Sequence, residues 1–75
     1  MTPAYLLMRM AETHGLRQSE VLLADRIRRN RALWDIGAID LWTHCRRAAL
    51  YITTLSLLHI ILDQLATTYH TPTET

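Results

Sequence analysis

At 75 residues the chain can form one small domain at most, and its apolar fraction of 49% argues against a largely disordered protein. Cys45 is the only cysteine, so no disulfide can form within the chain. The formal net charge of +1 is too small to predict a polyanionic partner from the total alone. A lone core is marginal at this size, so we expect self-association to complete it.

Basic and acidic residues are segregated along the chain. Residues 1–47 carry all eight arginines against five acidic residues, whereas residues 48–75 carry two acids, Asp63 and Glu74, and no arginine. Lysine is absent. An all-arginine cationic set is typical of GC-rich or overlapping reading frames, which favours a phage, a plasmid, a virus or a GC-rich bacterium as the source, and we expect a phage-, plasmid- or virus-encoded accessory protein.

The first predicted element is an amphipathic helix over residues 3–14. Thr2 supplies an N-cap hydroxyl, Pro3 suits the first helical position, and Gly15 suits the position after the last turn. Ser19 is the next predicted N-cap, with Glu20 in the first turn, where its charge suits the helix dipole. Residues 16–20 are therefore predicted to connect two helices.

No proline follows until Pro72, so helix is predicted over residues 20–35 and about 39–69. Gly37 costs about 1 kcal/mol inside a helix, and the segment is either continuous or broken there by a short joint. We predict an all-α fold of two or three amphipathic helices (about 3–14, 20–35/45 and 39/46–69) in a hairpin or bundle. Residues 1–75 form a single domain, with residues 71–75 as a frayed tail.

One apolar seam is predicted along the central segment. On a continuous helix its members fall on one narrow stripe, the pattern of a helix that packs along another, and Cys45 is expected to be a small buried residue of this stripe. The seam comprises Ile27, Trp34, Ala38, Leu41, Cys45 and Ala48.

The last helix allows two interpretations. Residues 48–62 carry no charged side chain and follow Arg46 and Arg47, as in a span entered from the cytoplasm. A span needs about 20 apolar residues, however, and Asp63 ends this run early. A polar stripe of Ser56, His59 and Asp63, continued by Thr67 and His70, faces an apolar arc that includes Leu50, Leu55, Leu58, Leu62 and Leu65. This amphipathic pattern favours a bundle helix, and a span over about residues 48–66 is the alternative.

Few residues suggest chemistry. His59 and Asp63, four apart, can meet on one helix face, but two ligands do not make a metal site. The two glycines are too far apart for a phosphate-binding loop, and we expect no enzyme activity, no metal and no cofactor.

The segment DRIRRNR is the most distinctive polar stretch. Helical spacing places Arg26 with Arg29 and Arg28 with Arg31, so the four do not form one patch. They are expected to form an exposed basic recognition surface for an acidic partner or phosphates. Binding to nucleic acid through this surface is a further alternative.

The segment CRRAALYITTLSLL, residues 45–58, is similar to part of the short lysis proteins of single-stranded RNA phages. Those proteins combine a basic region, a hydrophobic segment and a Leu–Ser dipeptide, matched here by Arg46, Arg47 and Leu55–Ser56. The capped N-terminal half departs from the basic, low-order half of that family. The resemblance implies a membrane location and supports the membrane alternative alone.

The favoured hypothesis is a cytoplasmic, non-enzymatic module that associates with itself and with an unidentified protein. The alternative is a single-pass or membrane-associated protein of an inner or host membrane, with its N-terminal half in the cytoplasm. The residues expected to form the core or interface are Ile27, Trp34, Leu41, Leu55, Leu58, Leu62 and Leu65.

Overall fold

The computed structural model describes the backbone of residues 1–70 and the side chains of residues 1–68. Within this part the chain forms three α-helices and no strand: α1 (Pro3–His14), α2 (Leu16–Asp35) and α3 (Leu41–His70). The predicted all-α class is confirmed. The predicted tail, residues 71–75, lies outside the described residues.

Helix α1 has the limits that its capping residues predict. The Thr2 hydroxyl accepts a hydrogen bond from the Tyr5 backbone N–H at 3.2 Å, and Pro3 occupies the first turn. At the other end Gly15 has a φ of 81°, and its N–H donates to the Ala11 carbonyl at 2.9 Å. Residues with side chains rarely adopt this left-handed backbone, so glycine ends the helix here.

Helix α2 begins one turn earlier than predicted. Gly15 turns the chain within one residue, so the helix starts at Leu16 and residues 16–20 are its first turn rather than a connector. The prediction of Ser19 as an N-cap is wrong. Its side chain is fully buried, and its hydroxyl donates to the Gly15 carbonyl at 2.7 Å from inside the helix.

A short joint at residues 36–40 separates α2 from α3, so the continuous-helix alternative is wrong. Gly37 has a φ of 76°, its N–H donates to the Trp34 carbonyl at 3.0 Å, and the Ala38 N–H donates to the Leu33 carbonyl at 2.9 Å. This pair of bonds is the Schellman arrangement that closes a helix. Asp40 then caps α3, since its carboxylate accepts from the Thr43 N–H at 2.7 Å.

The joint reverses the chain, so α3 runs antiparallel to α2. It also divides the predicted Ile27–Ala48 seam, whose two halves now lie on facing helices; the Trp34 and His44 rings stack at 5.1 Å between centroids. Cys45 is exposed rather than buried.

Helix α1 packs against both other helices, and residues from all three form the core. Leu6, Leu7 and Met10 of α1 meet Leu23 of α2 and Leu58 of α3. The side chains of residues 63–68 are all exposed, so α3 extends beyond the core at its C-terminal end.

Candidate functional site

Of the three helices, α3 has the smallest share of buried residues. Its segment Leu41–Thr68 is long and apolar enough to cross a membrane, and only 11% of the most apolar 18-residue stretch of this segment is buried. Among the described side chains of α3, only those of Thr54 and Leu58 are buried. Large apolar side chains exposed along it include Leu41, Trp42, Ile52, Ile60, Ile61 and Leu65.

Four hydroxyl groups among the described side chains of α3 donate to carbonyls of the same helix. Thr54 donates to the Leu50 carbonyl at 2.6 Å and Ser56 to the Ile52 carbonyl at 2.9 Å. Thr67 and Thr68 make the same bond to the carbonyls four residues before them, at 3.0 and 2.9 Å. Hydroxyls bonded in this way need no water partner, so they add little to the cost of placing the helix in an apolar medium.

His59, in the polar stripe of α3, pairs with Glu20 of α2 and not with Asp63, which its spacing suggests. His59 Nε2 lies 2.9 Å from Glu20 Oε2 of α2, and Asp63 is exposed. Within the described residues, no group of three or more histidine, cysteine or acidic side chains lies together in a way that could hold a metal ion.

The four arginines of α2 point to two different sides. Arg26 and Arg29 line a cleft against α3, and Arg28 and Arg31 line a groove on the other side of Asn30. Asp25 pairs with Arg29 at 2.8 Å and with Arg28 at 3.7 Å. Asp35 pairs with Arg31 at 3.0 Å, so much of this charge is locally compensated.

The predicted core and interface residues occupy different environments. Leu58 is fully buried, and Leu55 and Leu62 pack half-buried against the core. Ile27 is half-buried. Exposed positions are occupied by Trp34, Leu41 and Leu65.

Sequence reasoning did not identify the polar contact between α2 and α3. Asn30 is 4% exposed, and its amide Nδ2 donates to the His44 carbonyl and lies near His44 Nδ1, both at 3.1 Å. Asn30 Oδ1 is buried without a protein partner. The available signal was spacing, because Ser19, Leu23 and Asn30 fall on one face of α2.

An apolar groove of about 430 Å³ lies on the surface between α1 and α3, which are packed against each other. Met8 and Ile60 are more than half exposed there, which leaves apolar surface available for a partner. The groove is lined by Ala4, Leu7, Met8, Ala11, Leu16, Leu57, Ile60 and Ile61.

Comparison with protein-family models, with curated proteins and with solved structures finds no match to this chain.

Proposed function

We propose that this chain is a small, non-enzymatic membrane-associated protein. Its helix α3 enters the bilayer over about residues 48–66, with the arginine-rich half on the cytoplasmic side, and it acts by assembling with itself or with a membrane partner. The observation that carries the proposal is the exposure of α3: the helix is long and apolar enough to span, and α1 and α2 cover little of it.

The flanking residues support this placement. Arg46 and Arg47 precede the apolar segment, as expected at a cytoplasmic boundary, and Trp42 is 71% exposed one turn before them. Asp63 lies close to the far end of the segment, where a charge costs less than at the bilayer centre. The similarity of residues 45–58 to the phage lysis proteins agrees with a membrane location.

Insertion and the bundle compete for the same face of α3. Helix α2 carries exposed Arg28, Arg29 and Arg31, which would be costly to place in hydrocarbon. Helix α3 therefore has to separate from α2 before Leu58 and its neighbours can contact lipid. The three-helix bundle is then the state before insertion, and a membrane shifts the population toward the open state.

A substitution at the exposed residue Ile60 should affect membrane insertion without affecting folding. Ile60 is 58% exposed on the bundle yet lies near the centre of residues 48–66. An aspartate there costs about 2.5–3.5 kcal/mol on insertion scales but remains solvated in the bundle. We expect Ile60→Asp to keep its helical content in water and to lose carbonate-resistant association with membranes, with Ile60→Leu as the control. An Ile60→Asp protein that stays in the membrane like the wild type would contradict the proposal.

The second candidate is a cytoplasmic self-associating module, and the apolar groove between α1 and α3 favours it. Met8 contributes to this groove from α1 and takes no part in α3. Met8→Asp should therefore dissociate a soluble oligomer, measured as solution mass without detergent. A monomeric, soluble wild-type protein would contradict this candidate.

A further inference from the structure

Three arginines from two helices line a small cleft on the α2–α3 hairpin. Arg26 and Arg29 come from α2 and Arg47 from α3, and Leu33 and Tyr51 complete the walls beside Asn30. The cleft has a volume of about 150 Å³, which suits a single small anionic group. Guanidinium groups bind phosphate oxygens through paired hydrogen bonds, which a tetrahedral anion can accept from several sides.

Two of these arginines have no carboxylate partner among the described side chains. Arg29 pairs with Asp25 at 2.8 Å, but within the described residues neither Arg26 nor Arg47 has an ion pair with a carboxylate. The Arg26 guanidinium lies 5.8 Å from the centre of the Tyr51 ring, a cation–π contact that holds it beside α3. The cleft is therefore cationic and partly preorganised.

Arg47 also borders a second, more apolar groove. This groove lies between the start of α1 and α3, and its volume is about 500 Å³. An anion held at Arg47 thus has apolar surface directly beside it. The other residues that line the groove are Met1, Pro3, Arg46, Ala49, Leu50 and Thr53.

We propose that the cleft binds the phosphate of an anionic lipid, with an acyl chain along the neighbouring apolar groove. The inference rests on the proposed membrane function and concerns the closed bundle, the state before insertion, because the cleft exists only while α2 and α3 are packed together. A nucleic-acid phosphate offers the same anion without an apolar chain. The juxtaposition of a cationic cleft with an apolar groove therefore favours the lipid.

The test compares vesicles of phosphatidylcholine with vesicles in which part of this lipid is replaced by phosphatidylglycerol. Binding of the full chain is measured by flotation and by fluorescence of Trp34 and Trp42. The site variant is Arg26→Gln/Arg47→Gln. Its control is Arg28→Gln/Arg31→Gln, which removes the same charge from the opposite side of α2.

We expect phosphatidylglycerol to strengthen binding of the wild type and of the control. The site variant should lose roughly tenfold more of this gain than the control, the equivalent of about one charge-assisted hydrogen bond. Equal losses in the two variants would mean diffuse attraction between charges and would overturn the site. Displacement of the wild type by inorganic phosphate or by a DNA duplex, at concentrations that leave the residual binding of the site variant unchanged, would overturn the assignment to lipid.

The outcomes also separate this inference from the proposed function. Carbonate-resistant insertion with no preference for phosphatidylglycerol would overturn the cleft and leave the membrane function standing. Binding that depends on Arg26 and Arg47 but is fully extracted by carbonate would support the cleft and contradict insertion of α3. A wild type that binds neither kind of vesicle would overturn both.

Discussion

The imidazole Nε2 of His59 lies 2.9 Å from Oε2 of Glu20, and this contact joins the middle of α3 to the start of α2. Both side chains are partly exposed, so their attraction adds little to stability. The contact is informative for another reason, since it marks where the two helices have to separate if α3 is to enter a bilayer.

The first prediction uses this contact to hold the bundle closed. In a Cys45→Ser background, Glu20→Cys and His59→Cys are joined by a short bis-maleimide reagent. We expect the linked protein to remain soluble and helical but to lose carbonate-resistant insertion, because α3 cannot leave α2. Removing Cys45 matters because it is exposed and would react.

The control for this cross-link lies within α3 alone. Ser56→Cys and Asp63→Cys, treated with the same reagent, place a linker on one exposed stripe without joining two helices. The linked Ser56→Cys/Asp63→Cys protein should insert to the same extent as the same variant without the reagent. Insertion of the Glu20–His59 linked protein at the wild-type level would show that α3 enters the membrane without leaving α2, or not by its apolar segment.

The second prediction concerns Leu58, the fully buried leucine of α3. Leu58→Ala should lower the free energy of unfolding by about 2–5 kcal/mol in urea denaturation, because it leaves a cavity in a small core. Ile60→Ala, at an exposed position of the same helix, should change it by about 0.5 kcal/mol or less. Leu58→Asp should abolish the fold. Equal effects of Leu58→Ala and Ile60→Ala would contradict the described core.

A weaker bundle should also release α3 more readily. Under the proposed function, Leu58→Ala therefore inserts into vesicles faster than the wild type while being less stable in water. Slower insertion would indicate that the intact bundle, rather than the open chain, is the form that enters the membrane.

The third prediction concerns the amide of Asn30. Its Nδ2 faces two acceptors, the carbonyl and Nδ1 of His44, so His44 carries its ring proton on Nε2 when neutral. Asn30→Ala should lower the free energy of unfolding by about 1–3 kcal/mol at neutral pH. Asn30→Asp should cost more, because it turns a carboxylate toward those acceptors. An aspartate variant as stable as the wild type would show that the amide does not donate to His44.

The fourth prediction is a pH dependence at the start of α3. The pKa of Asp40 is lowered from its usual value of 3.8. The largest cause is the hydrogen bond that the Thr43 backbone N–H donates to the carboxylate, the next is a hydrogen bond with the Thr43 hydroxyl, and the charge of Arg46 lowers the pKa further. A carboxyl with a lowered pKa stabilises the fold above pH 3.8, and this contribution is lost as the pH falls through the lower value of the folded state.

This dependence is measured against Asp40→Asn, which can cap a helix but does not titrate. We expect acid to weaken the protection of the Thr43 amide against hydrogen exchange in the wild type more than in Asp40→Asn. The same acid response in both proteins would mean that the cap does not depend on the charge of Asp40.

Local signals predicted the ends of α1, because helix caps depend on neighbouring residues. Gly37 marked where the next helix could break, but its presence alone left a continuous helix open as the alternative. Ser19 was misassigned because nothing local shows that Gly15 ends one helix and begins the next. His59 was matched with Asp63 for the same reason: spacing along one helix was visible, whereas Glu20 becomes its neighbour only after the chain has reversed. The role of Asn30 was not predicted because the residue lies within an arginine-rich segment that suggested an exposed face, although its spacing from Leu23 placed it on the inner face of α2.

The single residue between α1 and α2 limits how this chain can change in length. An added or deleted residue at Gly15 would change the one-residue turn that sets the direction of α1 and carry Leu6, Leu7 and Met10 away from the core. The joint at residues 36–40 is longer and mostly exposed, and such connections accept insertions more readily. Viable length variants of this protein should therefore concentrate at the second turn and be absent from the first.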